Sequence, residues 1–427
     1  MPMSQKLLLV CAFLFGCSSA VFAAPDANAL LSFTRPEAVS MSSARLARIG
    51  TVIKADITAG RIPGAVVAIA RHGKLVAFDA YGWRDKAAGL PMTTDTIFNI
   101  ASMTKPMTAV GALMLYEQGR ILMDDPLSKY FPKFANSRVA GRDARGEPTL
   151  QTVPANRAII IQDLLTHTSG LIYGSRGNTV IHKMYPGGTD NAPNGPAFVD
   201  KLATLPLLWQ PGSTWDYGFG LDITGQIIEK LSGQTLGAYL KANLFTPLGM
   251  KDTGFYVPPE KVSRYAKPLP ADPDTGAPQT RSPELTKPIN FDCGGGCAAS
   301  TAGDYLRFAS MLLNQGRAGN THILGRKTVE FMTSNQLGPE VKNLIVNADP
   351  TRANFGFGLG VAVKTGIGNT RIMGSPGSIN WPGASGTDWW VDPKEDLVVV
   401  YMSAAPGPLR WHYRQVINAL VYQSLID

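Results

Sequence analysis

Hydrophobic and polar positions change rhythm twice along the 427 residues. Near the amino end, GAVVAIARHGKLVAFDAYGWRD (64–85) is rich in apolar and β-branched residues. Its punctuation predicts two strands around a turn at His72-Gly73, with a further turn at Tyr81-Gly82. A long middle with helical periods follows. Met107, Val110, Leu113 and Met114 run up to Gly119, and Leu221, Ile227, Ile228 and Leu231 run up to Gly233. The strand rhythm then returns in TRIMGSPG, TDWWVDP and DLVVVYMSA (396–404), before WHYRQVINALVYQSLI (411–426), which reads as a last helix. Eight prolines between Pro258 and Pro288 predict an irregular surface excursion. Strands at both ends with helices between them predict an α/β class, a sheet built from the two chain ends with a helical region inserted. The expected unit has two lobes, α/β from about 24–100 plus 300–427 and mostly helical from about 101–299, rather than independent domains on a linker.

Residues 1–23 are a different kind of segment. Lys6 gives a positive start, LLLVCAFLF (7–15) is too short to span a bilayer, and VFA (21–23) offers small residues for cleavage before Ala24. This is the pattern of a secretory signal peptide, and it predicts a periplasmic or extracellular mature chain. A second reading, lipidation at Cys17 of LFGC, is disfavoured by Phe15. No later segment reaches transmembrane length.

Composition adds exclusions. With 44% hydrophobic and 17% charged residues, the chain is that of a packed protein rather than a disordered one. Removal of Lys6 lowers the formal net charge of +8 by one, and the remaining excess is spread along the sequence. Its densest patch, Arg138, Arg142 and Arg145, has no interleaved aromatics for stacking on bases, so a nucleic-acid partner is discounted. Cys11 and Cys17 leave with the signal. Cys293 and Cys297, in C-G-G-G-C, fit both a small-loop disulfide in an oxidising compartment and two buried thiols flanking a glycine turn. The histidines show no H-E-x-x-H or paired spacing, and no metal or cofactor is expected.

Candidate chemistry centres on FNIASMTKPMTAVG (98–111). Proline in the first helical turn loses no hydrogen bond, so Pro106 places the helix start at about Ser102 or Met103. Lys105 then lies at i+3 from Ser102, on the same face. A serine hydroxyl becomes a nucleophile when a neighbouring base takes its proton, and a lysine amine serves when burial lowers its affinity for protons. On its own the tetrapeptide reads more simply as a serine helix cap with a surface lysine. Two further stretches bear on it. In PGSTWDYGFGLDITGQIIEKLSG (211–233), Tyr217 stands in the connection before a helix, where it either packs or shares a proton with Lys105. In NWPGASGTDWWVDP (380–393), Trp381-Pro382-Gly383 leads into small residues that let backbones approach closely, so an edge N–H there can face a bound carbonyl alongside the N–H of Ser102. Trp389 and Trp390 alternate across a strand, so at most one faces such a site. His167 with Ser169 invites a Ser-His-Asp reading, but no G-x-S-x-G accompanies it, and a structural turn is the simpler account.

SMTK, the tyrosine after Trp215-Asp216, and Trp-Pro-Gly resemble, in order and spacing, the three elements of serine β-lactamases and penicillin-binding peptidases. Supporting stretches are similar too: LLTHTSGL (164–171), FTPLGMKDTGF (245–255), GGGCAASTAGDYLRF (294–308) and FGFGLGVAV (355–363). The likeness covers nearly the whole mature chain and is nearest to the class C β-lactamase-like esterases, the family VIII carboxylesterases. It implies a β-lactamase/DD-peptidase-like α+β fold, with an antiparallel sheet from both chain ends, flanking helices and an inserted helical lobe. It further implies Ser102 as nucleophile, Lys105 as its base and Tyr217 as proton partner. The oxyanion hole would come from the N–H groups of Ser102 and Ala384, with Phe219, Trp381 and Gly383 bordering the substrate. Two departures carry information. Phe219 stands where those enzymes have the asparagine of Tyr-x-Asn, and Trp381-Pro382-Gly383 replaces Lys-Thr-Gly. Both lost side chains are polar handles for an amide or a carboxylate, so the expected substrate is a small neutral ester, of short acyl chain by family likeness. Weak β-lactam hydrolysis fits so similar a cleft. The alternatives are a β-lactamase or D-alanyl peptidase, an acyltransferase on the same residues, and a non-catalytic receptor.

Overall fold

Eight consecutive residues, Gly64–Arg71, have no exposed side. Such a strand needs cover on both faces, and the computed structural model, which describes residues 32–279 and 284–427, supplies it. The expected signal peptide, residues 1–23, and with it Cys17, lies outside the described residues. Helix α1 (Ser43–Thr58) precedes β1 (Gly64–Arg71), and β1 turns through His72 and Gly73, both at positive φ, into β2 (Lys74–Asp85). A two-residue turn of that hand matches the twist of a hairpin. The short β3 (Leu90–Pro91) follows. The chain then leaves the sheet through β4 (Ile97–Ala101) and helix α2 (Thr104–Glu117), with α3 (Gly220–Ser232) further on, and returns through β5 (Ala298–Thr301) and α4 (Ala302–Leu313). Strands β6 (Phe355–Phe357), β7 (Ala362–Lys364), β8 (Ile379–Asn380), β9 (Thr387–Asp392) and β10 (Leu397–Ser403) complete the sheet before helix α5 (Leu409–Tyr422).

The eight strands lie in the order β6-β7-β8-β9-β10-β1-β2-β3, each pair antiparallel. Both chain ends therefore build one sheet. Ala65, Val67 and Ile69 face the layer of α1 and α5, whereas Val66, Ala68 and Ala70 face the core that contains α2, α3 and α4. Trp390 belongs to the first layer and Trp389 to the second. Outside this sheet, β4 pairs with β5, with Ala101 opposite Ala298. That pairing ties the point where the chain leaves the sheet to the point where it returns. Among the described residues no helix is long and apolar enough to cross a membrane.

Two expectations need correction. No turn interrupts the strand at Tyr81-Gly82, because β2 runs through Gly82, which pairs with Gly64. A Cβ at Gly82 would stand 2.6 Å from the Pro63 carbonyl oxygen, so glycine there serves close approach as well as its φ of 74°. The helix after Ser102 also begins later than expected, at Thr104 with Met103 as its cap residue, which leaves Ser102 in the turn before it.

A buried charge cluster fixes the far edge of the sheet. Asp349 accepts from Arg414 Nη1 at 2.9 Å, and Arg414 Nη2 in turn donates to the Gly383 carbonyl at 2.9 Å. Arg352 donates to Asn380 Oδ1 at 3.0 Å and lies 3.5 Å from Asp388. The cluster thus holds the segment that contains Trp381-Pro382-Gly383. Burial raises the Asp349 carboxyl, but Arg414 and Arg352 outweigh it and hold the group at about 2. Burial pushes the neighbouring Asp388 carboxyl up instead.

A carboxyl depressed in the folded state stabilises above its unfolded pKa of about 3.9 and loses that contribution as pH falls. Asp349→Asn should therefore lower the unfolding free energy at pH 7 by about 3–5 kcal/mol, the usual effect of breaking a buried ion pair. In urea titrations the gap between the two proteins should narrow as pH falls from 4 toward 2. A gap that stays constant over that range would contradict the assignment.

Candidate active site

The β4–α2 connection presents Ser102 by a sharp reversal. Ala101 sits at φ 42°, a strained position for a residue with a Cβ, and its N–H donates to Asn99 Oδ1 at 2.8 Å. Met103 N–H then bonds Ile100 O, and Lys105 N–H bonds Ser102 O, so the helix tightens immediately after the serine. The Thr104 hydroxyl donates to Ala101 O at 2.7 Å and accepts the Ala298 N–H at 3.0 Å, which fastens the turn to β5. Ser102 is left half-buried, while the Lys105 side chain points inward with no exposed surface.

Tyr217 reaches the same point from the connection before α3. Its hydroxyl donates to Ser102 Oγ at 2.7 Å and accepts from the indole N–H of Trp381 at 3.0 Å. Trp381 is held in turn, because its carbonyl accepts the Trp389 indole N–H at 3.0 Å. Trp215, Phe357 and His167 pack around Tyr217 and Trp381, with ring centroids 4.9–6.2 Å apart. His167 is part of this aromatic wall rather than a base. Burial, and then the charge of Lys105, holds its imidazole well below the usual range, and its Nδ1 accepts the Gly218 N–H at 3.5 Å.

Lys105 Nζ has three acceptors: the Gly295 carbonyl, the Tyr173 hydroxyl at 3.1 Å and Ser102 Oγ at 3.4 Å. Asp222 ties two of these supports together by accepting the Tyr173 hydroxyl at 3.2 Å and the Gly295 N–H at 2.9 Å. Burial pushes the Asp222 carboxyl up, opposed chiefly by Lys105. Burial, reinforced by Asp222, pushes the Tyr173 phenol well above its usual value, so this tyrosine keeps its proton. Ser102, Lys105 and Tyr217 therefore meet, and Trp381, expected to border the substrate, is instead buried behind Tyr217 and donates to its hydroxyl. Tyr173, Asp222, Gly295 and His167 were missed. Their signals were a tyrosine and an aspartate without a motif, a glycine run read for its cysteines and its family likeness, and a histidine read as part of a structural turn, which its φ of 57° matches.

The remaining candidates divide. Gly383 lies against β4: a Cβ there would stand 2.1 Å from Thr387 Oγ1 and 2.4 Å from the Ile100 carbonyl oxygen. The Ser385 hydroxyl donates to Asn99 O, so the 383–385 segment runs beside the strand that carries Ser102. Ala384 is exposed and, with Ala101, Phe98 and Ala404, lines a cavity of about 250 Å³ next to the serine. On the other side Tyr217, Arg176 and Trp209 line a second cavity of about 310 Å³. Phe219 does not border either. It is fully buried and packs its ring at 4.3 Å from Tyr173 and 5.0 Å from Phe198, because the chain turns into α3 there and carries the side chain inward. The expectation that Phe219 faces substrate is corrected to a core residue behind Tyr173.

Comparison with known proteins bears on the family and the fold. Residues 49–421 match the family model described as Beta-lactamase. The chain is 37% identical to Protein Rv1367c of Mycobacterium tuberculosis, covering 81% of this chain and 86% of that one. It is 31% identical to Esterase EstB of Burkholderia gladioli, covering 90% of this chain and 98% of the esterase. Among solved structures it resembles EstCE1, described as a hydrolase with promiscuous acyltransferase activity. The TM-score is 0.73 at 26% identity, over 89% of this chain and 99% of that one.

The Trp381 N–H faces the oxygen that would carry charge if Tyr217 gave up its proton. Trp381→Phe keeps the ring and removes that donor, so labelling of Ser102 by a fluorophosphonate probe should slow by about tenfold or more. An unchanged labelling rate in a folded variant would show that the indole only fills space.

Proposed function

Because the chain belongs to the beta-lactamase family and is a serine hydrolase of esterase type, we propose that it hydrolyses small neutral carboxylic esters through an acyl-enzyme on Ser102. The observation that carries the reading is the convergence of Lys105 Nζ and the Tyr217 hydroxyl on one serine oxygen. In this reading Ser102 Oγ attacks the ester carbonyl carbon as its proton passes to Lys105. The carbonyl oxygen becomes an oxyanion that the N–H groups of Ser102 and Ala384 stabilise. The C–O bond to the alcohol then breaks as Tyr217 gives its proton to the leaving alkoxide and takes one back from Lys105. Water repeats the sequence on the acyl-enzyme, so ester and water become acid and alcohol, and Ser102 regains its proton.

Substrate preference follows from what surrounds the serine. The cavity beside Ala101 and Ala384 is lined by alanines and prolines together with Phe98, Asn99, Ser385, Ser403 and Arg410, and its size suits a short acyl or alcohol group. Trp381 occupies the position at which the related peptidases present a lysine, and it supports Tyr217 instead of a carboxylate. Acyl transfer to an alcohol is a second reading, favoured by the cavities on both sides of the Ser102–Tyr217 pair and by the likeness to EstCE1. The amino-terminal pattern, together with a disulfide in the chain, supports export to an oxidising compartment.

Purified protein should turn over p-nitrophenyl butyrate much faster than a chromogenic cephalosporin, and Ser102→Ala should abolish both activities. A cephalosporin rate above the ester rate would overturn the substrate preference. Full activity in Ser102→Ala would overturn the site. Added alcohol that diverts product from acid to a new ester would favour transfer over hydrolysis.

A further inference from the structure

Cys293 and Cys297 are joined by a disulfide, which closes a five-residue ring around three glycines. The middle residue gives both backbone groups to the site: Gly295 O accepts from Lys105 Nζ, and Gly295 N–H donates to Asp222. Gly294 O accepts the hydroxyl of Thr108, on the Lys105 face of α2, at 2.9 Å. Closeness dictates glycine at both positions. A Cβ at Gly294 would stand 2.4 Å from Leu221 O, and one at Gly295 2.2 Å from the Asp222 carboxylate. Three glycines in a row are also the hardest stretch of chain to hold in one shape, since each loses the most conformational freedom on ordering. Within the ring the backbone restrains itself weakly, through the N–H groups of Gly296 and Cys297 reaching Cys293 O at 3.4 Å. A cross-link over so few residues also removes little freedom from the unfolded chain. Its effect is therefore concentrated on local geometry.

We infer that the Cys293–Cys297 disulfide is a positioning element for the chemistry at Ser102: it clamps the triglycine ring so that the Gly295 carbonyl holds Lys105 Nζ against the serine. The inference rests on the reading of Ser102 and Lys105 as nucleophile and base. Opening the ring leaves Lys105 with the Tyr173 hydroxyl, itself tied to Asp222, as its other fixed support. Cys297 is buried but borders a cavity of about 280 Å³, the side from which a reductant would approach. A dithiol supplies two electrons and two protons, the S–S bond becomes two thiols, and the reagent becomes its own disulfide.

The test compares full-length oxidised protein, the same protein reduced under native conditions and then reoxidised, and the double variant C293S/C297S. Thiol state is read by alkylation and intact mass, fold by circular dichroism, and activity by kcat and KM for p-nitrophenyl butyrate across pH. Reduction should lower kcat by about tenfold to hundredfold and displace the pH profile, with KM within about twofold. Reoxidation should restore both, and the double variant should match the reduced protein under either condition. Equal kcat and pH profile in verified oxidised and reduced protein would overturn the inference. So would a loss that merely follows unfolding in the dichroism signal. If reduction does not proceed in the native state, the double variant decides alone, and if that variant does not fold, the redox cycle decides. Activity that survives Ser102→Ala is a different result, which refutes the site reading rather than the role of the ring.

Discussion

A lysine with no exposed surface constrains everything around it. An amine buried this deeply must find acceptors, because leaving it unpaired away from water costs several kcal/mol. Lys105 finds three, each from a different part of the chain: Ser102 from the turn before α2, Tyr173 from the helical lobe, and Gly295 from the loop that leads back into β5. Asp222 then satisfies the two supports that are not the serine. The same network that makes the burial tolerable therefore aims the amine at Ser102 Oγ. The β4–β5 pairing makes this possible, since it brings the end of one strand, which carries the serine, beside the start of another, which follows the ring.

A second layer of support comes from the sheet. Trp381 reaches Tyr217 only because its own carbonyl is held by Trp389 and because Gly383 can lie against Ile100. The Asp349, Arg352, Arg414 and Asp388 cluster anchors that segment from behind. The charges of this cluster lie one layer away from the serine, where they fix backbone. Between the two layers the tyrosine hydroxyl both accepts and donates, so a shift on either side is felt at Ser102 Oγ.

Much of this was legible in the sequence, for physical reasons. Ser102 and Lys105 are three residues apart across the turn into α2, where the Lys105 N–H bonds Ser102 O, so local spacing determined that they are neighbours. The sheet from both ends followed from strand rhythm at 64–85 and 387–404. Tyr173, Asp222 and Gly295 were not legible, because three distant segments meet through tertiary packing and none carries a local pattern for it. Phe219 was misread because its place was carried over from the resemblance, in which a polar asparagine stands at that position, whereas a phenylalanine gains by turning into the core. Here the chain enters a helix, and a Cβ at Gly218 or Gly220 would press within 2.0 or 2.2 Å of neighbouring carbonyl oxygens. Tyr81-Gly82 was misread for a related reason, since a glycine can mark close approach as well as a turn. The C-G-G-G-C spacing allowed a disulfide or two thiols, and only the fold shows what the ring touches.

The central claim is that Ser102 carries the acyl group during turnover. The most direct test is to quench the enzyme during steady-state hydrolysis of a slowly deacylated ester and locate the added mass by peptide mapping. The account requires an acyl adduct on the peptide containing Ser102, accumulating and decaying at rates that match turnover. An adduct on another residue would contradict it, as would continued turnover with no adduct in a protein whose Ser102 is unmodified throughout.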